Sequence, residues 1–139
     1  MKVEGIDHVA IKVKDIDKAM ELFGKLFEME FEELPGAESR GARVAISRPD
    51  AQIEFMQPLD AAKAAHYTSI DQGIFKMFFR VNDADEAVAD AEKKGIPIDR
   101  IQEEKQLTDF LPHIKHLWFS EEKFPIDWLG LIWKPPEKK

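Results

Sequence analysis

Three side chains stand where the local pattern would bury a charge. Glu54 is flanked by Ile53 and Phe55, Lys76 lies among Phe75, Met77, Phe78 and Phe79, and His8 sits in the alternating stretch IDHVAIKV. An ionised carboxylate or ammonium taken out of water must be matched by an opposite charge, a metal or solvent. Glu54 paired with Lys76 would be an internal ion pair. The same two groups also carry chemistry: a carboxylate that takes a proton, and a fixed positive charge that holds a carboxylate or an enolate-like oxygen. Both readings can hold together, because a bound anion can exchange with Glu54. They are the candidate catalytic residues, and Lys76 is also a candidate for ligand binding.

Other groups are weaker candidates. His113 and His116 are three residues apart, so on an extended chain they point to opposite faces and do not form a paired ligand motif. One of them could complete a rearranged site with His8 and Glu54. His66 falls in a linker and is expected to be exposed. Phe78, Trp118, Trp128 and Trp133 recur on apolar stretches of the second half. Core packing is their default role, and Phe78, Trp118 and Trp133 are candidates to line a ligand site, since pockets favour aromatic walls with few polar groups. Arg40 and Arg43 could reach an acidic ligand or serve the surface.

These residues are positioned by a repeat. GIDHVAIKVKDIDKA (Gly5 to Ala19) set above GIFKMFFRVNDADEA (Gly73 to Ala87) matches without a gap at a constant offset of 68, with six of fifteen positions identical. Two copies of one module explain this better than chance. In the first copy residues 6 to 13 alternate as a half-buried strand. Asp15 then caps a helix carrying Ile16, Ala19, Met20, Phe23 and Phe27 on one face. In the second, Asp83 and Glu86 have capping-box spacing, Ala84, Ala87, Val88 and Ala91 form the buried stripe, and Gly95 with Pro97 ends the helix. Three strands follow each helix: Glu28 to Leu34, Ala42 to Ser47 and Gln52 to Gln57, then Pro97 to Glu103, His116 to Ser120 and Trp128 to Trp133. Leu59 to Gln72 is the linker, with a short helical turn. The fold class is α+β: two tandem βαβββ modules, about 3–58 and 73–135, forming curved sheets around a central cleft in one domain of 139 residues.

Composition narrows the function. The chain is 44% hydrophobic and 34% charged, with a net charge of -7 and no cysteine. Without cysteine there is no disulfide, zinc-thiolate site or thiol nucleophile. Without a basic face, non-specific nucleic-acid binding is not expected. No apolar run approaches the roughly eighteen residues of a membrane span. The N-terminus reads as a strand and not as a secretory signal. A cytoplasmic protein acting on a small molecule is the expectation. The run Glu137-Lys138-Lys139 is a solvated tail.

The phrases GIDHVAIKVKDIDKAMELF and QIEFMQPLD resemble the two ends of the first module in the vicinal oxygen chelate superfamily, which includes glyoxalase, bleomycin-resistance and dioxygenase-like proteins. Within it they look closest to methylmalonyl-CoA epimerase and glyoxalase I. The resemblance covers nearly the whole chain. It implies two metal ligands per module, a His on the first strand and a Glu on the last, around one divalent cation (Zn, Ni, Co or Mn). Carried over, His8 and Glu54 are the candidate metal ligands. The repeat puts Lys76 at the third position, and matching Gln57-Pro58 to Lys134-Pro135 puts Leu131 at the fourth. Neither is an ordinary ligand, so the site is read as degenerate, with the metal absent or weakly bound. Three readings stay open: a metal-free member binding or transforming an anionic or carbonyl-containing molecule, a divalent-metal isomerase or lyase acting by proton transfer beside a carbonyl, and a purely structural duplicate with a collapsed cleft. The resemblance also implies a homodimer.

Overall fold

The computed structural model describes residues 1–60, 62–63, 70–105, 108–110, 113–124 and 126–136. His66 and the run at 137–139 lie outside the described residues, as does most of the expected linker turn. The elements run β1 (Val3–Lys12), α1 (Ile16–Phe27), β2 (Phe31–Glu33), a 3-10 turn (Ala37–Arg40), β3 (Ala42–Ser47) and β4 (Ile53–Pro58). They continue with β5 (Gly73–Val81), α2 (Ala84–Lys93), β6 (Ile98–Glu104), β7 (Ile114–Phe119) and β8 (Leu129–Trp133). This is βαβββ twice.

Both helices begin where their aspartates direct. Asp15 accepts from the Lys18 amide at 3.0 Å and Asp83 from the Glu86 amide at 2.9 Å, each satisfying one of the amide donors a helix start leaves over. Gly95, at φ 76°, takes the left-handed turn that ends α2. The expected strand at 28–34 shrinks to β2 because α1 runs to Phe27 and Glu28 serves as its left-handed cap, at φ 56°. β7 begins two residues earlier than the alternation implied, at Ile114. Among the described residues no helix is long and apolar enough to cross a membrane.

The chain divides into two compact units, His8–Lys76 and Met1–Asp7 with Met77–Lys139, so β1 and β5 each contribute to both. In the first unit the strand order is β2-β3-β4-β1, with the start of β5 beside β1. β1 and β4 run parallel, with Ala10 opposite Glu54 and Ile11 opposite Phe55. One sheet face carries Val13, Ala45 and Phe55 and receives Ile16, Ala19, Met20 and Phe23 of α1. Phe55 packs edge-on to Phe23 at 4.8 Å and stacks on Phe31 at 4.7 Å. His8, Ala10 and Lys12 occupy the opposite face, because side chains alternate along a strand. The second unit orders β5-β8-β7-β6 beside the start of β1, with Phe78 opposite Gly130 and Phe79 opposite Leu131 in the parallel β5–β8 pair. Small residues on α2, Ala84 and Ala87, let the helix settle on Val81, Leu117 and Leu131.

Arg43 fastens α1 to the sheet of the first unit. Its guanidinium donates to both carboxylate oxygens of Asp17 on the helix, at 2.9 and 3.0 Å. It also donates to both of Glu33 on β2, at 2.7 and 3.0 Å. Those hydrogen bonds hold both carboxyl groups below their ordinary range and raise the Arg43 guanidinium further above its own. Carboxyl groups depressed in the folded state stabilise it above their unfolded values, and that stabilisation is lost as pH falls through the folded ones. The difference in thermal midpoint between wild type and Arg43→Gln is therefore expected to be larger near neutrality and to fade as acid protonates the two depressed carboxyl groups. Circular dichroism melts across pH check this; a constant difference would contradict it.

Candidate functional site

The centre of the first unit is a charge pair laid across a strand. Glu54 projects from β4 and Lys76 from β5, with β1 between them, yet Lys76 Nζ lies 3.0 Å from Glu54 Oε2. Neighbouring strands are about 4.8 Å apart, so the two side chains must reach over β1. Ala10 makes this feasible: it is Glu54's partner in register and offers only a methyl group. The pair is mostly enclosed, with 18% of the Lys76 side chain and 15% of the Glu54 side chain exposed. Its ammonium also lies 5.9 Å from the centre of the Phe75 ring. His8 is buried on the same face of β1, two residues before Ala10. Lys12, two residues further on, turns its ammonium to the Ile70 carbonyl at 2.8 Å. The structure thus gathers an imidazole, a carboxylate and an ammonium in one unit.

The fourth position differs from the sequence expectation. Ala10 and Phe78 are equivalent in the repeat; Ala10 pairs with Glu54 and Phe78 with Gly130, so Gly130 and not Leu131 corresponds to Glu54. Matching the two strands at their following prolines is off by one residue, because β4 runs to Pro58 itself whereas β8 stops at Trp133, before Lys134-Pro135. Leu131 lies on the other face, in the core under α2. A Cβ on Gly130 would come within 2.8 Å of Phe78 Cε1 and 3.0 Å of the Leu117 carbonyl oxygen. The place of a fourth donor is filled by a phenyl ring.

This donor set does not fit a divalent cation. His8 and Glu54 supply two suitable groups, and Lys76 places an ammonium on the carboxylate. Among the described residues no group of three or more His, Cys, Asp or Glu side chains could hold a metal ion. His113 does not join them: its Nε2 lies 2.7 Å from Glu103 Oε1, and that contact lowers the Glu103 carboxyl from its ordinary range. His116 packs against Phe78 at 4.7 Å, on the face opposite that of His113.

The remaining aromatic candidates separate. Phe78 and Trp118 meet edge to face at 4.8 Å. Trp133 packs instead on the α2 core, 5.4 Å from His113. Arg43 has its donors committed to Asp17 and Glu33. Sequence reasoning missed a buried group in the second unit. Asp7, with 1% of its side chain exposed, accepts from Arg80 Nε at 3.0 Å and lies 2.8 Å from Lys134 Nζ. The available signal was an aspartate beside His8 on a strand that buries its neighbours.

Two measurements test this description. Removing one member of an enclosed pair strands the other charge, so Lys76→Met and Glu54→Gln are each expected to destabilise the protein by about 2 kcal/mol, and the double variant by clearly less than the sum. Additive losses in urea unfolding would show that the pair is not coupled. Gly130→Glu, the substitution that would supply a fourth donor, is expected to cost about 1–3 kcal/mol through overpacking against Phe78. An unchanged unfolding midpoint would contradict that.

The sequence matches the Glyoxalase/Bleomycin resistance protein/Dioxygenase superfamily over residues 7–110. No curated protein matches the chain. Among solved structures, it is similar to methylmalonyl-CoA epimerase from Mycobacterium tuberculosis, with 25% identity and a TM-score of 0.67 over 96% of this chain and 90% of that one. A variant of Streptomyces coelicolor methylmalonyl-CoA epimerase, in complex with 2-nitronate-propionyl-CoA, matches with 18% identity and a TM-score of 0.71 over 99% of each chain. A hypothetical protein from Bacillus halodurans C-125 matches with 14% identity and a TM-score of 0.69 over 96% of each chain. The paired βαβββ modules and the family match agree: the chain belongs to the Glyoxalase/Bleomycin resistance protein/Dioxygenase superfamily.

Proposed function

We propose that the protein binds a small anionic or carbonyl-containing molecule at the Glu54–Lys76 pair, and that the ammonium takes the part a divalent ion would play. The observation that carries this is the 3.0 Å approach of Lys76 Nζ to Glu54 Oε2 in an enclosed setting. A ligand oxygen reaching Lys76 takes a hydrogen bond from the ammonium and loosens its hold on Glu54. Glu54 then acts as a base beside the carbonyl. It takes the proton from the adjacent carbon, the C–H electron pair moves into the enolate, and the negative charge rests on the oxygen facing Lys76. Return of the proton to either face of the carbon restores the carboxylate and gives an isomerised product, with no change in oxidation state. We assign His8, buried on the same face, the part of a second proton carrier.

The similarity to an epimerase at 25% identity supports methylmalonyl-CoA as the first compound to try. The competing reading is a divalent-metal isomerase or lyase using His8 and Glu54, in which Lys76 must withdraw from the carboxylate. We also propose, from the family, that the chain works as a homodimer in the cytoplasm.

Loss of the C2 proton signal of methylmalonyl-CoA in heavy water, followed by NMR with a chelator present, separates these readings. The wild type is expected to exchange that proton, and Lys76→Met and Glu54→Gln to lose on the order of a hundredfold in rate. Exchange that survives Lys76→Met, or that begins only when cobalt or zinc is added, would favour the metal reading. Neither exchange nor binding with the wild type would remove methylmalonyl-CoA as a ligand.

A further inference from the structure

The second unit holds a polar group that packing does not explain. The indole Nε1–H of Trp118 is shielded from solvent and has no hydrogen-bond acceptor among the described residues. A buried donor left unsatisfied keeps the cost of its lost hydration, and native proteins seldom carry one without reason. A phenylalanine would fill much of the same space without that cost.

The surroundings say what is missing. Trp118 meets Phe78 edge to face at 4.8 Å and Trp128 at 6.0 Å with the rings 85° apart. Trp128 is held at φ 60°, a left-handed conformation unfavourable for a bulky residue. Retained strain of this kind tends to cluster at ligand sites. Arg100, Trp118's cross-strand partner on β6, lays its guanidinium over the indole with its carbon 4.8 Å from the ring centre. Among the described residues Arg100 has no carboxylate partner, and the residue is exposed, so it can leave the ring at little cost. Three aromatic rings, a donor without an acceptor and a cation without a counter-ion lie together. What they lack is a flat apolar body carrying a negative oxygen.

We infer that Trp118, Trp128, Phe78 and Arg100 form a binding site for a small aromatic carboxylate. One carboxylate oxygen accepts from Trp118 Nε1, and Arg100 swings off the indole to bind the other. The aromatic body of the ligand packs against the rings. This site lies wholly in the second unit and does not depend on the Glu54–Lys76 reading.

The chain has three tryptophans, so three indole N–H signals are expected in a proton–nitrogen NMR spectrum of the full protein, with Trp118→Phe assigning one. Titration with 1-naphthoate is expected to move the Trp118 signal saturably and leave that of Trp133 in place. Arg100→Gln, a change at an exposed side chain, is expected to weaken binding about tenfold, or 1.4 kcal/mol, and cyclohexanecarboxylate to bind less tightly than benzoate. The Trp118 signal reports on this site and proton exchange of methylmalonyl-CoA on the other, which keeps the failure of one distinct from the failure of the other. A Trp118 signal that does not move, an affinity indifferent to Arg100→Gln, or a magnetisation-transfer contact showing a trapped water on Nε1 would overturn the inference.

Discussion

An ammonium and a carboxylate enclosed together constrain the first unit. Neither Lys76 nor Glu54 could hold its place alone, since a single charge on an apolar sheet face costs several kcal/mol. Together they are tolerable, and they dictate the surroundings. β1 must separate them, the residue beneath must be small, and the helix must pack on the other face. The aromatic cluster of Phe23, Phe31 and Phe55 satisfies that last demand, because its contacts lie on the side of the sheet away from the charges. The charge pair occupies one face, beside the buried Ile46 and Met56, and the helix packs on the other.

The same constraint bears on chemistry. A divalent ion in this fold family binds oxygens through open positions. An ammonium does so with up to three hydrogen bonds on a flexible stem. In the function proposed above it would concentrate less charge on a bound oxygen than a metal, and it would carry its own counter-ion, free to act as a base once a ligand had taken its place. The second unit has moved in another direction. The carboxylate it buries is Asp7, held between Arg80 and Lys134, and the position matching Glu54 is a glycine covered by Phe78. The two modules share an architecture and differ in what they place on it.

Much of the fold was legible because its signals are local. The offset of 68, the capping aspartates and the alternation of β1 all reflect short-range rules, and all appear as expected. The meeting of Glu54 and Lys76 was also legible, since two opposite charges in apolar strands have few other partners. Tertiary register was not. Whether Gly130 or Leu131 is Glu54's counterpart depends on where β8 stops relative to a proline, and neither composition nor periodicity records that. The Asp7 group escaped for a related reason: Asp7, Arg80 and Lys134 are distant in sequence, and each alone looks like an ordinary surface charge. Trp133 shows the limit of composition, because an aromatic residue announces burial without saying on which side of the sheet.

Ala10 has a consequence of its own. Its methyl group acts as a gauge block, setting how near two long side chains can come when they cross a strand from opposite directions. A valine or leucine there would wedge them apart and leave two desolvated charges where there had been a dipole. Substitutions can therefore range over the walls around the pair, while its floor has to stay at the size of alanine.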